Sequence, residues 1–349
     1  MLPRLRPQLS FNNLFTAQWG HRWDLVSTAF CARVMVVSEI ILNSLVPIFF
    51  GMALGYVGGW TRDVDNKHVG ELNALVMDFA VPAAIFAAVV QQSRNALLDQ
   101  LPLAAIVTVT MLIIYFVTYV TARRAFGASP AEAAVQALTT SLPNYAGAGL
   151  PLIAALLGAH YVVAVGVALA CGSIVLSPLA LVVLERSGQT KHKGGIGNAL
   201  LKAFTKPIVL SPILSVLFAL TNIGLPDPLI RSLSLMGEVS GGAALFLTGL
   251  ILSAQSIRVG ADVAIQTLLS DALRPLIAAG LVWFFAVSPL TTRESIILSA
   301  LPAGFFGVLF GLRFGISSSD VVGTTLIAST VLSAATLTAA IYLTASMGP

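Results

Sequence analysis

Apolar runs of about twenty residues recur ten times along this chain, near 38–59, 69–91, 102–123, 131–157, 161–184, 203–223, 229–252, 262–287, 293–313 and 320–345. Short breaks such as Gly58-Gly59 and Asn222–Pro228 part them. A helix of that length rises about 1.5 Å per residue and crosses the roughly 30 Å hydrocarbon layer of a bilayer. Too little polar material is left to cover these runs in water. Charged types make up 10% of the 349 residues and hydrophobic types 57%, where a soluble domain carries about 25% charge. That excludes a soluble enzyme, a nucleic-acid binder and a disordered polymer together. The expectation is an all-α polytopic membrane protein with ten transmembrane helices.

The net charge of +4 is unevenly placed. Breaks after odd-numbered runs hold Arg62, Lys67, Arg123, Arg124, Arg186, Lys191, Lys193, Lys202, Lys206, Arg258 and Arg313. Breaks after even-numbered runs hold Arg94, Arg231 and Arg293, with Arg274 inside a run. The positive-inside rule puts the first set in the cytoplasm, so both termini are expected in the periplasm and the Glu185–Lys202 linker in the cytoplasm. The four arginines before residue 34 narrow this bias without reversing it.

Residues 1–34 stand apart. They carry Arg4, Arg6, Arg22 and Arg33 and no apolar core of a signal peptide, and the apolar pattern begins abruptly at Met35. The pattern predicts Met35 as the native start and the preceding stretch as an extension, the alternative being a cytoplasmic or amphipathic arm. Beyond it the chain divides into 35–184, the linker 185–202, and 203–349. Two cysteines, Cys31 and Cys171, make no disulfide framework.

The two long segments echo each other. Asp78-Phe79-Ala80-Val81-Pro82-Ala83-Ala84-Ile85-Phe86 resembles Glu238-Val239-Ser240-Gly241-Gly242-Ala243-Ala244-Leu245-Phe246, offset by 246 − 86 = 160. Ser141-Leu142-Pro143 followed by Gly147 resembles Ala300-Leu301-Pro302 followed by Gly307, offset by 302 − 143 = 159. Each copy holds five spans, an odd number, so the second enters the membrane upside down. A 5+5 inverted repeat is the usual build of secondary transporters, whose equivalent halves exchange conformations and open one site to either side.

The fourth and ninth runs carry proline and glycine at mid-membrane, in Leu142-Pro143-Asn144-Tyr145-Ala146-Gly147 and in Leu301-Pro302-Ala303-Gly304-Phe305-Phe306-Gly307. Proline removes a donor and clashes with the preceding turn, so these positions predict broken helices. Freed backbone groups survive at this depth only against protein or a water-filled cavity. Paired breaks near the midplane are where transporters bind substrate. The candidate substrate residues are therefore Pro143, Asn144, Tyr145, Gly147, Pro302, Ala303 and Gly304. Asn144 and Tyr145 can donate to a carboxylate, or Asn144 can cap the helix that follows; ligand contact is slightly preferred. Thr139, Thr140 and Ser141 are secondary candidates.

Asp78 and Glu238 lie in or beside membrane runs and are candidates for ion coupling or a polar relay, to H+ or Na+. Asp271 and Arg274, one turn apart, read as a structural ion pair, and Arg313 as part of the positive-inside bias. No Walker sequence, dinucleotide fingerprint or metal-spaced cluster is present, so neither an enzymatic function, a metal nor a cofactor is expected.

The strings Val76-Met77-Asp78-Phe79-Ala80-Val81-Pro82, Leu142-Pro143-Asn144-Tyr145, Ala170-Cys171-Gly172-Ser173 and Lys206-Pro207-Ile208-Val209-Leu210 resemble the bacterial auxin efflux carrier family. So do Ala244-Leu245-Phe246-Leu247-Thr248-Gly249 and Ala303-Gly304-Phe305-Phe306-Gly307-Val308. Together these strings are most similar to the family's malonate transporters. The resemblance runs from about Ile40 to Ser346. It implies a ten-helix fold with broken, crossing fourth and ninth helices, and an elevator exchange between scaffold and transport domains. It also implies a small organic anion as substrate, in the bacterial inner membrane. Carried over by position, Pro143 and Pro302 are the crossover prolines and Asn144 the carboxylate contact. Ala303 stands where the second half would supply a counterpart to Asn144, a departure from symmetry, and Glu238 is no part of the pattern. The expected partners are a small carboxylate and lipid, not nucleic acid, with a homodimer open. A channel-like facilitator and a non-transporting sensor of the same fold are the alternatives.

Overall fold

The computed structural model describes residues 46–347 apart from 48, 65–68, 188–204, 222, 255 and 317–318. The expectations for residues 1–34 and for nearly all of the 185–202 linker lie outside the described residues. What is described is helical, and its one β contact is an isolated antiparallel bridge between Pro143 and Ala303.

In chain order the helices are α1 (49–61), α2 (Val69–Val90), α3 (Leu101–Ala125), α4 (Pro130–Ser141), α5 (Tyr145–Leu156) and α6 (Ala159–Leu184). They continue with α7 (Pro207–Thr221), α8 (Asp227–Ser253), α9 (Ala261–Phe285), α10 (Pro289–Ala300), α11 (Phe306–Phe314) and α12 (Ser319–Thr344). Six are long and apolar enough to cross a membrane: α2, α3 with the short helix Arg94–Leu98 leading into it, α6, α8, α9 and α12. They fall on the second, third, fifth, seventh, eighth and tenth apolar runs. The fourth and ninth runs are each interrupted, as α4/α5 and α10/α11.

Both interrupted runs begin in the same way. Ser129 Oγ accepts from the Glu132 N–H at 3.2 Å while Glu132 returns a bond to the Ser129 N–H at 2.8 Å, with Pro130 next in line. Ser288 Oγ accepts from the Thr291 N–H at 3.1 Å, followed by Pro289. These caps satisfy amides that a helix start would leave unpaired, and proline fits the first turn because no partner is lost there. The Ser-Pro pairs are 288 − 129 = 159 apart, the same spacing as Pro143 and Pro302.

Among the described residues four helices widen to a π turn, at Leu75–Ala80, Gly172–Leu176 and Leu269–Leu273 inside their length and at Tyr145–Gly149 at the start of α5. Each turn ends two residues before a proline: Pro82, Pro151, Pro178 and Pro275. The cause is local. A proline ring pushes on the carbonyl four residues earlier and cannot bond to it, so the turn loosens ahead of it.

Packing falls into two groups. Helices α1, α2, α7 and α8 pack on one another. At the crossing of α1 and α8, a Cβ on Gly55 would meet the Phe246 carbonyl oxygen and one on Gly249 the Met52 carbonyl oxygen, so only glycine permits the approach. Ser211 of α7 ties to α2 by donating to the Pro82 carbonyl at 2.6 Å. The second group, α3, α4, α9, α10, α11 and α12, surrounds the interrupted segments. Helix α6 lies against both groups, on α2 and α7 of the first and on α3 and α4 of the second, and α8 reaches α12 and Tyr145–Gly149 of α5.

Candidate functional site

The chain breaks at Leu142–Asn144 and at Leu301–Phe305, and the two breaks cross. Pro143 and Ala303 form the antiparallel bridge, and the Asn144 N–H donates to the Pro302 carbonyl at 2.9 Å. The Gly304 N–H donates to the Thr139 carbonyl at 3.1 Å, and the Ala303 N–H to Ser329 Oγ of α12 at 2.8 Å. Backbone groups released by the two prolines are thus taken up across the crossing, as an apolar medium demands.

The close approach dictates small residues. A Cβ on Gly304 would run into the Leu142 carbonyl oxygen and stand 3.2 Å from that of Pro143. On Gly307 it would run into Thr139 Oγ1, and on Gly147 it would stand 2.8 Å from Asn144 Oδ1. Each glycine admits the backbone or side chain of the opposing or preceding segment.

All seven expected substrate residues are buried; Pro143, Asn144, Pro302, Ala303 and Gly304 stand in the two breaks, and Tyr145 and Gly147 in the first turn of α5. Asn144 caps α5: its Oδ1 accepts from the Gly147 N–H at 3.0 Å. Among the described residues no hydrogen bond uses its Nδ2. Tyr145 turns to α3, where its hydroxyl lies 3.7 Å from Met111 sulfur. Asp78 and Glu238 are differently placed. Asp78 is half-buried in the π turn of α2, and Glu238 is exposed on α8. The buried acids on α9 and α10 are Asp262, at the start of α9, and the more deeply enclosed Asp271, 0% exposed, and Glu294, 1% exposed.

The charge at the crossing comes from a residue the sequence reading placed in an ion pair. Arg274, fully buried, donates from Nε to the Ser299 carbonyl at 2.8 Å and from Nη1 to the Thr140 carbonyl at 2.7 Å. Its Nη2 donates to the Leu301 carbonyl. Asp271 accepts instead from the Ser329 hydroxyl at 2.6 Å, and the ion pairs among the described residues do not include the two. The expected pairing is therefore corrected. The guanidinium reaches across to α4 and α10, whose last carbonyls carry the negative ends of two helix dipoles, each about half a charge. Three carbonyls at three angles suit the fork of an arginine.

A family model described as membrane transport protein matches residues 40–342. The chain belongs to this family, that of the auxin efflux carriers. It is similar to "Uncharacterized transporter YfdV" of Escherichia coli K12, at 26% identity over 280 residues, covering 79% of this chain and 88% of the relative. The Shigella flexneri protein of the same name matches equally, at 26% over 280 residues. A "Putative malonate transporter" of Rhizobium meliloti is 27% identical over 303 residues, covering 82% of this chain and 92% of the relative.

For this auxin efflux carrier family member, the missed residue had a signal. Asp271, Arg274 and Pro275 crowd one apolar run, and intramembrane charge beside a helix-weakening proline marks a functional position. The i, i+3 spacing drew attention to a local pair and away from the helix ends that Arg274 serves.

Proposed function

We propose that the chain is a secondary carrier that moves a small organic anion, malonate or a related carboxylate, across the bacterial inner membrane by alternating access. The observation that carries this reading is the crossing of two broken helices around a buried arginine. Two interrupted helices exposing backbone polarity at mid-membrane, with one fixed positive charge beside them, suit a small anion. Asn144 Nδ2 is the donor nearest to hand for a carboxylate, and the backbone of Pro143, Gly147, Pro302, Ala303 and Gly304 shapes the wall around it. The repeated Ser-Pro cap and repeated break, both 159 apart, support ten spans in a 5+5 inverted repeat with both termini in the periplasm. The two packing groups correspond to a scaffold (α1, α2, α7, α8) and a transport domain carrying the crossing, and the transport domain slides as a body. The substrate name draws on the Rhizobium meliloti relative.

Counterflow in proteoliposomes tests the proposal. Vesicles loaded with unlabelled malonate should take up labelled malonate transiently above its equilibrium level, as exchange through a carrier requires. Uptake that equilibrates without overshoot would make the protein a channel, and no movement of malonate, malate, succinate or pyruvate would make it a sensor.

A further inference from the structure

Asp271 is the acid at the crossing, and among the described residues no ion pair holds it. It is 0% exposed and sits in the π turn Leu269–Leu273, at the level of both breaks. Its Oδ1 accepts from Ser329 Oγ at 2.6 Å, while Oδ2 is buried with no hydrogen-bond partner among the described residues. An ionised carboxylate offers about four acceptor sites, and leaving both of those on Oδ2 empty in an apolar interior is costly. Arg274 does not fill them. Its three bonds go to carbonyls at the ends of α4 and α10, and two half-charges there match one guanidinium.

The remaining titratable groups on the elements packed against this turn stand further off. Asp262 lies about 13 Å back along α9, and Asp320 about 13 Å from Ser329 along α12. Glu132 is held in the capping box of α4, about 12 Å from Thr140, and Arg293 and Glu294 lie about 10–12 Å from Leu301 along α10. Tyr115 of α3 is one turn beyond Met111 and has no partner for its hydroxyl. Arg274 is the charged group that acts on Asp271.

Ser329 joins this acid to the site. It donates to Asp271 and accepts the N–H of Ala303 in the ninth-run break at 2.8 Å. The protonation of Asp271 is therefore felt by the backbone that lines the crossing.

We propose that Asp271 is the proton site of the carrier: Oδ2 binds H+ from the compartment the crossing faces, moves with the anion, and releases H+ on the other side. A carboxylate entering beside Arg274 adds negative charge to a low-dielectric region, where a second anion would repel it strongly. A neutral Asp271 removes that repulsion, so anion and proton load together. The proposal rests on the carrier reading above and places coupling at Asp271 rather than at Asp78 or Glu238.

The test separates the two claims. In proteoliposomes with an acidic exterior, wild-type protein should accumulate labelled malonate above its equilibrium level, and an uncoupler should abolish this. Asp271→Asn should keep counterflow at equal pH and lose the gradient-driven accumulation. Equal accumulation by Asp271→Asn and wild type, or wild-type accumulation indifferent to the gradient, overturns the proposal. Absence of wild-type counterflow would sink the carrier reading and the coupling with it, whereas normal counterflow with no effect of Asp271→Asn sinks the coupling alone. Infrared spectra of the purified protein should show a carboxylic-acid C=O band that Asp271→Asn removes and that Ser329→Ala, which deletes the hydroxyl bonded to the acid, displaces in frequency. If no carboxylic-acid band depends on residue 271 or 329, Asp271 holds no proton and the proposal falls.

Discussion

Arg274 and Thr140 are 134 residues apart in sequence, yet the guanidinium of one lies 2.7 Å from the carbonyl of the other. The bond joins α9 of the second half to the last turn of α4 in the first. Through Ser299 and Leu301 the same side chain holds the end of α10. One cation thus closes two helices that would otherwise meet with like-signed ends.

Removing that cation should be severe. Arg274→Ala leaves buried carbonyls unpaired, at about 1–3 kcal/mol each, and sets two helix C-termini against each other. We expect a loss of at least about 3 kcal/mol, in the range seen when one partner of a buried charge interaction is removed. Arg274→Lys keeps the charge but cannot fork to three carbonyls, so its loss should be intermediate. Tm in detergent, followed by fluorescence-detected size exclusion, checks the order wild type, Lys, Ala.

Asn144 has a cap to make and a donor to spare, and substitution can separate them. Asn144→Ser keeps a side-chain oxygen that can accept from Gly147 N–H, so stability should fall by only a few tenths of a kcal/mol; Asn144→Ala should lose about 1 kcal/mol. Both remove Nδ2, and both should abolish malonate uptake in membrane vesicles. Uptake by the serine variant at the wild-type rate would reduce Asn144 to its capping role.

The glycines of the ninth-run break are tested by one methyl group. At Gly304 and Gly307 a Cβ would overlap a carbonyl oxygen or hydroxyl of the fourth run, where no flexible end can yield. Gly304→Ala and Gly307→Ala should each cost about 1–3 kcal/mol through overpacking and slow uptake. Gly241, inside α8 with no atom within 4 Å of its added Cβ, should accept alanine without loss of Tm.

Much of this architecture was legible because proline is an unambiguous letter inside an apolar run. Pro143 and Pro302 announced the breaks, and Ser129-Pro130 with Ser288-Pro289 repeated their spacing. The α2, α6 and α9 widenings were equally spelled out by Pro82, Pro178 and Pro275, though a proline two residues past a π turn is recognised only once the turn is seen. Arg274 was not legible in its true role. Helical spacing shows which residues share a face of one helix, and Arg274 acts by reaching to two others. Asp78 and Glu238 matched in the repeat but differ in burial, because repeat symmetry constrains the backbone and not which side chains meet lipid.

The antiparallel bridge itself permits a direct chemical test. Residues opposed in such a bridge have Cα atoms about 4.5–5.5 Å apart, within the range a disulfide accepts. In a background with Cys31→Ser and Cys171→Ser, Pro143→Cys combined with Ala303→Cys should therefore cross-link under mild oxidation. A protease site inserted in the 185–202 linker makes the bond visible: after cleavage the two halves should migrate together on a denaturing gel and separate on reduction. Moving one cysteine to Ala128, more than a dozen residues before the break in the turn between α3 and α4, should give no link. If Pro143→Cys and Ala303→Cys also fail to join, the breaks do not cross in the membrane, and the arrangement that brings Arg274, Asn144 and Asp271 around one centre is wrong.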